Sequence, residues 1–575
     1  PLTPIHLFSL LYGHHSFLVT RARLCTMKLS FAAFLCLCTT ELNRVNSFSL
    51  PVLSTAVTQS PPSTKKPLTK EEIRRIQAQA EERIQQSHDN DAWNALFVSC
   101  PERPEPVPIV ETEGSIPADF PPGSLLRLGP NGADSSEGFF DGDGMVQCIT
   151  FPPDQQSTFS ATYIDTKGRQ LEKASGGTKK FKGTLRGVPS GYPMLQSIFE
   201  NALTFQTLQA QKDTCNTALA EHGGRILALM EQCPPTEIAI HKNGKMTTVE
   251  ASTSLDGAID TSTPISGGVL SAHGRTCPKT GDRVHVSYRS DEKPFLRLDT
   301  FAPGFALKES QGIDVPTPIF LHDSVLTENY VVIMDLPLTL RVSRILRNRF
   351  PVEYEPEHPA RIGLVPRGGG ETKWFDCEPG VVLHASNAWE TKDGKVIVQG
   401  LRGEPTPNEC YLNKFASSYY HEYSIDLKTG VVTEQALNPQ EIVEFPVINE
   451  KLNGQECSSC YAVTTMSLGG PLEVYAQPNT GVTFGSVVKF AAIDNNGYEK
   501  GDVMARFQLP PRWYAVSEPT VVPKKGQEGE GEYILLIASH VPEGVTWRDV
   551  ANDYDGSPLT SKVFIVDGDD LDAGP

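Results

Sequence analysis

Three histidines stand where their surroundings suit chemistry: His273 in Ser-Ala-His-Gly-Arg, His322 in Leu-His-Asp-Ser, and His384 in Val-Val-Leu-His-Ala-Ser-Asn-Ala-Trp-Glu. Each lies where small and polar residues meet a β-branched run, the mouth of a buried strand. The clearest case is Leu321 to Leu338, where a polar head carrying His322 leads into Tyr-Val-Val-Ile-Met. A single histidine in such a place is ordinarily a satisfied structural residue. Three imidazoles delivered by separate strands are instead a donor set for a borderline metal such as Fe, Zn or Cu. Two other clusters carry less. Phe139 to Met145 sets two acids between glycines, which reads as a tight turn, and its spacing is not that of a helix-flanked calcium loop. Cys457 and Cys460 form a Cys-x-x-Cys with no second pair to complete a zinc site, and read as free thiols in a loop.

Histidines so far apart in sequence meet only if the strands carrying them converge. From about Asn216 to the end, β-branched runs alternate with Gly, Asp, Asn and Pro turns, and 47 Gly and 45 Pro are spread through the chain. One large all-β domain accounts for that pattern, although no repeat period separates a propeller from a stacked sandwich. The domain is expected to span 106–575. Residues 70–105 are expected to form a helical extension, because Lys70 to Gln86 consists of strong helix formers with Glu ahead of Arg, which predicts a solvent-facing helix. Within the domain, Lys167, Arg169, Lys173, Lys179, Lys180, Lys182 and Arg186 make one locally basic stretch. Just beyond it, residues 193–205 place Leu195, Ile198, Phe199, Ala202 and Leu203 on one helical face. Such a stripe reads as core packing, and beside a basic loop it also suits a peripheral membrane surface.

The chain of 575 residues carries a net charge of −18, which disfavours nucleic acid as a partner. Its 12 cysteines are irregularly spaced and indicate neither a disulfide scaffold nor a metal knot. The first methionine is Met27, so residues 1–26 read as untranslated or artefactual upstream sequence. Residues 27–69 read as a disordered targeting leader: Lys28, an apolar run from Leu29 to Cys38 too short to span a bilayer, Phe48, then a stretch rich in Ser, Thr, Pro and Lys. This is similar to the signal-plus-transit leaders of proteins sent to secondary plastids. Secretion is the alternative, and the chain has no Asn-x-Ser/Thr acceptor to support it.

The ordered phrases Leu126-Arg-Leu-Gly-Pro-Asn131, Phe140-Asp-Gly-Asp-Gly-Met145, Ala272-His273, His322-Asp-Ser-Val-Leu-Thr-Glu-Asn-Tyr330, Met334-Asp-Leu-Pro337, Arg361-Ile-Gly-Leu-Val-Pro-Arg367, Trp374-Phe375, His384-Ala-Ser-Asn-Ala388, Glu444-Phe-Pro446 and Ser517-Glu-Pro519 resemble the carotenoid cleavage oxygenase family. That family includes the retinal pigment epithelium isomerohydrolase. The resemblance runs from about Val110 to Asp567 and implies a seven-bladed β-propeller with one Fe(II) per chain, held by four histidines. His273, His322 and His384 match the first three ligand positions. The resemblance further implies that Glu231 orients His322, that Glu444 orients His384, that Glu518 backs the fourth ligand, and that Thr217 borders an open iron position.

The implied reaction is oxidative cleavage by O2 of a conjugated double bond in a carotenoid or apocarotenoid, giving aldehydes or ketones. The alternatives are a same-fold isomerase or hydrolase, a stilbene-type cleaving oxygenase, or an inert carotenoid binder. The family's fourth histidine lies in a Gly-Phe-His-Gly type phrase after the strand matched by Lys562 to Asp567, so the domain is expected to stop short of its last strand. His540 precedes that strand and reads as structural.

Overall fold

The structure is a computed structural model that describes residues 68–86, 95–96, 98–132, 142–153, 155–181, 191–206, 212–261, 269–349, 351–404, 418–467, 483–495, 497–526, 531–552 and 558–575. Residues 1–26, and the leader apart from its last two residues, lie outside this set.

The described residues form antiparallel meanders. Four-stranded sheets contain, in turn, residues 103–163, 218–250, 274–313, 325–376 and 381–438; a two-stranded sheet pairs Leu338–Leu340 with Val352–Tyr354; and eight strands from 443 to 567 make one further sheet. That last sheet is two four-strand groups joined at a single pair, Phe484 with Ala515. In every sheet but the first and the last, consecutive strands pair in sequence order; in the first, Arg103–Pro108 returns to pair with Thr158–Tyr163, and in the last, Trp513–Ala515 and Thr520–Pro523 both pair with Glu532–His540.

The sheets stack face to face in a ring, which is visible in their cores. Val146 of the first sheet packs with Ala228 and Ile238 of the second. Leu227 and Leu229 pack with Phe301, Val284 and Leu298 with Val331 and Ile333, and Val332 and Leu364 with Val396 and Tyr423. Tyr420 then meets Val488 and Phe490, Val463 and Val487 meet Ile534 and Leu536, and Leu535 and Ile537 return to Ile149 and Phe151 of the first sheet. A ring of meanders closed in this way is a β-propeller.

Burial falls from the inside of a sheet to its rim. Arg283–Tyr288 is buried throughout, because both of its faces meet neighbouring sheets, whereas the outermost strand Ala306–Ile313, carrying Lys308 and Glu309, is mostly exposed. Charged rim strands of this kind protect a sheet edge.

Three local expectations are corrected. Leu321 to Leu338 is not one strand: Val325–Leu326 turns back on Tyr330–Asp335, and Leu338–Leu340 joins another sheet. The helix Lys70–Gln86 forms as predicted, but Ile73, Gln77 and Ala80 are buried on one face and Gln77 Nε2 donates to the Pro439 carbonyl at 2.7 Å, so the helix is docked rather than free. The first strand begins at Arg103, inside the expected extension. In addition, Cys457 and Cys460 are buried, and Cys460 lies within a strand rather than a loop. Burial pushes the Cys457 thiol up to about 11, which suits neither a redox nor a metal role.

Candidate metal centre

The opening strands of successive sheets meet in the middle of the ring: Gly274–Thr276 packs on Val325–Leu326, that strand on Val381–Glu390, and that in turn on Val443–Val447. His273 immediately precedes the first of these strands and His322 precedes the second. His384 is the exception to the strand-mouth expectation, since it lies inside Val381–Glu390, where the ladder to Lys395–Gly403 shifts register between Val382 and Ala385. Gly400 makes that irregularity possible: a Cβ there would lie 3.0 Å from Ala385 Cα and 3.1 Å from the His384 carbonyl oxygen.

The three histidines meet, with donor nitrogens all within 4.8 Å of one another. Ring centroids are 4.6 Å (His273–His322), 5.0 Å (His322–His384) and 5.3 Å (His273–His384), and every pair is edge-on. Nδ1 of His384 donates to Glu444 Oε2 at 2.7 Å, and Nδ1 of His322 lies 2.5 Å from Glu231 Oε1. The hydrogen bond to Glu444 puts the His384 proton on Nδ1 and leaves its Nε2 a lone pair.

Glu444 is itself fixed, accepting from the Phe445 N–H at 2.8 Å and from Ser418 Oγ at 3.1 Å. Phe445 takes a left-handed backbone (φ 54°) in the same short strand, whose register slips between Glu444 and Val447. Phe320 stacks on His322, with ring planes 13° apart, and fixes its other face.

Electrostatics act differently on two of the rings. Burial, helped by the neighbouring imidazoles, pushes His273 well below its ordinary value and keeps it neutral. At His322 burial acts in the same direction, but the Glu231 carboxylate outweighs it and raises the pKa. Nε2 of His273 and Nε2 of His322 face each other at 3.1 Å, a contact that requires a shared proton or a cation.

Of the other expected site residues, Thr217 lines the same cavity; its N–H donates to the Leu229 carbonyl at 3.0 Å and its hydroxyl to Asn216 Oδ1 at 3.3 Å. Glu518 also lines the cavity, but its partner is Arg127, which meets it with both guanidinium arms at 2.5 and 2.7 Å. Although burial raises the Glu518 carboxyl, Arg127 outweighs that and holds it below the usual range. His540 stacks on Trp513 at the far end of its strand.

The Asp-Gly motif is described only from Gly142 onward, and it serves as a scaffold. Gly144 abuts the Thr214 and Cys215 carbonyls, where a Cβ would clash at 2.6–2.7 Å, and Asp143 is neutralised by Lys212 at 2.8 Å and Arg169 at 3.2 Å. A calcium loop would need that carboxylate free.

The sequence reading missed Arg127, Arg275, Asp323 and Ser418. Arg275 and Asp323 left a signal, since each stands within two residues of a candidate ligand; Ser418 left none.

The cavity holding the histidines has a volume of about 2080 Å³. Tyr288, Phe320, Leu340, Val342, Leu383 and Phe484 give it an apolar wall. The helix Gly191–Phe205 stands beside it and contributes Ile198. This helix buries Ser197 and Asn201 while leaving Phe199 (46%) and Leu203 (53%) exposed, the reverse of ordinary core packing. Of the basic stretch before it, Arg169, Lys173 and Lys180 pair with Asp143, Asp165 and Glu172, whereas Lys182 and Arg186 lie outside the described residues.

The sequence profile of the family described as retinal pigment epithelial membrane protein matches residues 97–575. The chain belongs to this family. Its relatives include carotenoid 9,10(9',10')-cleavage dioxygenase 1 of Phaseolus vulgaris, 26% identical over 456 residues, which covers 75% of this chain and 79% of the relative. They also include 9-cis-epoxycarotenoid dioxygenase NCED1, chloroplastic, of Oryza sativa subsp. japonica, 28% identical over 388 residues, 62% of this chain and 57% of the relative. Among solved structures, cobalt-substituted Synechocystis ACO superposes with a TM-score of 0.65 at 25% identity, covering 85% of this chain and 95% of that one. Among the described residues no helix is long and apolar enough to cross a membrane.

Proposed function

We propose that the protein is an Fe(II)-dependent dioxygenase that cleaves a conjugated double bond of a carotenoid or apocarotenoid to aldehyde or ketone products, with the propeller ring read as seven blades, the eight-stranded sheet counting as two. The observation that carries this is the convergence of three imidazoles, two of them backed by carboxylates, on one point in a large apolar cavity. The donor chemistry fits a ferrous ion: His273, His322 and His384 would hold it, Glu231 and Glu444 would orient the rings, and Glu518 would back a further ligand. A ferrous ion bound there would supply the electrons and open positions for activating O2 against an electron-rich double bond.

The chain's own residues do the rest. Glu444 holds the proton at Nδ1 of His384, and Glu231, 2.5 Å from Nδ1 of His322, would hold the second once that ring binds through Nε2. Phe320 and Phe445 stack on or tilt against the ligand rings and exclude water from their outer faces. Thr217 lines the approach. The volume is about twice the upper end of ordinary small-ligand pockets (roughly 300–1,000 Å³), which suits a long polyene whose affinity comes from apolar burial. Overall, C=C plus O2 gives two C=O groups, and both oxygen atoms end in product.

The exposed Phe199 and Leu203 beside the cavity support a peripheral membrane surface over 193–205 from which such a substrate would enter. The chloroplastic relative supports a plastid location reached through the leader 27–69. Purified protein reconstituted anaerobically with Fe(II) is expected to convert a carotenoid panel under labelled O2 with label in both products. Isomerised or hydrolysed product without label would refute the oxygenase reading in favour of the redox-neutral one, and cleavage confined to stilbenes would refute the substrate class.

A further inference from the structure

Inner strands of different sheets share no ladder hydrogen bonds, so backbone pairing alone cannot set the distances between the three histidines. A side-chain network does connect them. Arg275, Asp323 and Ala385 stand two, one and one residues beyond His273, His322 and His384. Arg275 Nη2 donates to Asp323 Oδ2 at 2.6 Å and to the Ala385 carbonyl at 2.7 Å, while its Nε donates to the Ser324 carbonyl at 3.2 Å. Asp323 accepts from the Ala385 N–H at 3.1 Å through Oδ2 and from the Ser324 N–H at 2.7 Å through Oδ1. Both backbone groups of Ala385, on the inner edge of the first strand in its sheet, are taken up by this one ion pair.

We infer that Arg275 and Asp323 are positioning residues that brace the three histidine-bearing segments at the spacing a metal ion requires. The pair is well placed for this. Asp323 has 3% of its side-chain surface accessible and Arg275 22%, so the interaction is shielded from screening water. The planar guanidinium fork reaches three acceptors on two separate segments at once, which a lysine could not do. Neither residue needs to touch metal or substrate, because the network acts through the backbone next to each ring. A displacement of half an ångström at one of three donors is enough to weaken a site built on fixed geometry.

The inference rests on the metal-centre reading, and the test separates the two. Co(II), whose visible absorption reports ligand geometry, is titrated anaerobically into metal-free wild type, Arg275→Met/Asp323→Leu and Arg275→Lys, with thermal melts of each metal-free protein. The double substitution removes both charges, so no buried ion is left uncompensated. It is expected to weaken Co(II) binding about 10- to 100-fold and to alter the spectrum of what binds, with Arg275→Lys intermediate. Wild-type affinity and spectrum in a folded double variant would overturn the brace, and so would a lowered Tm with the spectrum unchanged. Should the double variant not fold, Arg275→Lys decides: intermediate affinity supports the brace and wild-type affinity overturns it. Wild type that binds no Co(II) or Fe(II) would overturn the metal-centre reading itself.

Discussion

Glu444 offers the sharpest test of how the centre is held. Its carboxylate accepts from His384 Nδ1 at 2.7 Å and the Phe445 N–H at 2.8 Å through one oxygen, and from Ser418 Oγ at 3.1 Å through the other. It is 1% exposed. Glu444→Gln keeps a carbonyl oxygen for the first two donors, loses the charge, and turns an NH2 donor toward Ser418 Oγ, which can accept from it while donating to the Val443 carbonyl. Bonds to charged groups contribute about 1.5–3 kcal/mol and neutral ones about 0.5–1.5, so the His384 bond should weaken by about 1–1.5 kcal/mol, close to tenfold in metal affinity. Glu444→Ala removes the acceptor altogether. It should cost up to about 100-fold in affinity and a further ~1–3 kcal/mol of stability from the lost buried bonds. The assay is anaerobic Co(II) titration of metal-free protein followed by visible absorption, with thermal melts alongside. The expected order of affinity is wild type, then Gln, then Ala. If Glu444→Ala bound Co(II) within twofold of wild type and with the same spectrum, the argument that this carboxylate orients His384 would be wrong.

Three further outcomes follow from the structure. Gly400→Ala would press a methyl group onto Ala385 and the His384 carbonyl, and should cost about 1–3 kcal/mol, seen as a lower Tm together with reduced metal content; an unchanged Tm would show that the bulge relaxes freely. Glu355 is clamped by Arg341 at 3.0 Å and Arg344 at 2.5 Å, beside the cavity-lining Leu340, Val342 and Ile345. Burial opposes its ionisation, but the two arginines outweigh it and bring its pKa from 4.5 to about 2. Because the folded value is depressed, the carboxylate adds stability above pH 4.5 that is lost as pH falls toward 2. That gap corresponds to ~3 kcal/mol at most, and partial exposure lowers it to about 1–2. The Tm deficit of Glu355→Gln should therefore be full at pH 6 and shrink through this window; a deficit independent of pH would refute the assignment. Finally, Phe199→Ser with Leu203→Ser should reduce co-sedimentation with anionic liposomes several-fold while leaving Co(II) binding unchanged, and equal sedimentation would rule out the helix as the contact.

The sequence by itself determined the parts whose chemistry is local. Strand-forming runs, turn glycines and the helix Lys70–Gln86 were legible because residue type and immediate neighbours specify them, and the same local signals marked His273, His322 and His384 as candidate donors, whereas Glu231 and Glu444 stood out only through the family resemblance. The tertiary structure decided what depends on long-range approach. It placed Arg127 on Glu518 across 391 residues and Arg275 on Ala385 across 110, and no periodicity encodes such pairs. It broke Leu321 to Leu338 into three strands, since a continuous apolar run does not say where the chain reverses. It also split the apolar stripe of the Gly191–Phe205 helix, with Ile198 on the cavity and Phe199 and Leu203 exposed, because a helical stripe fixes which residues share a face but not what that face meets.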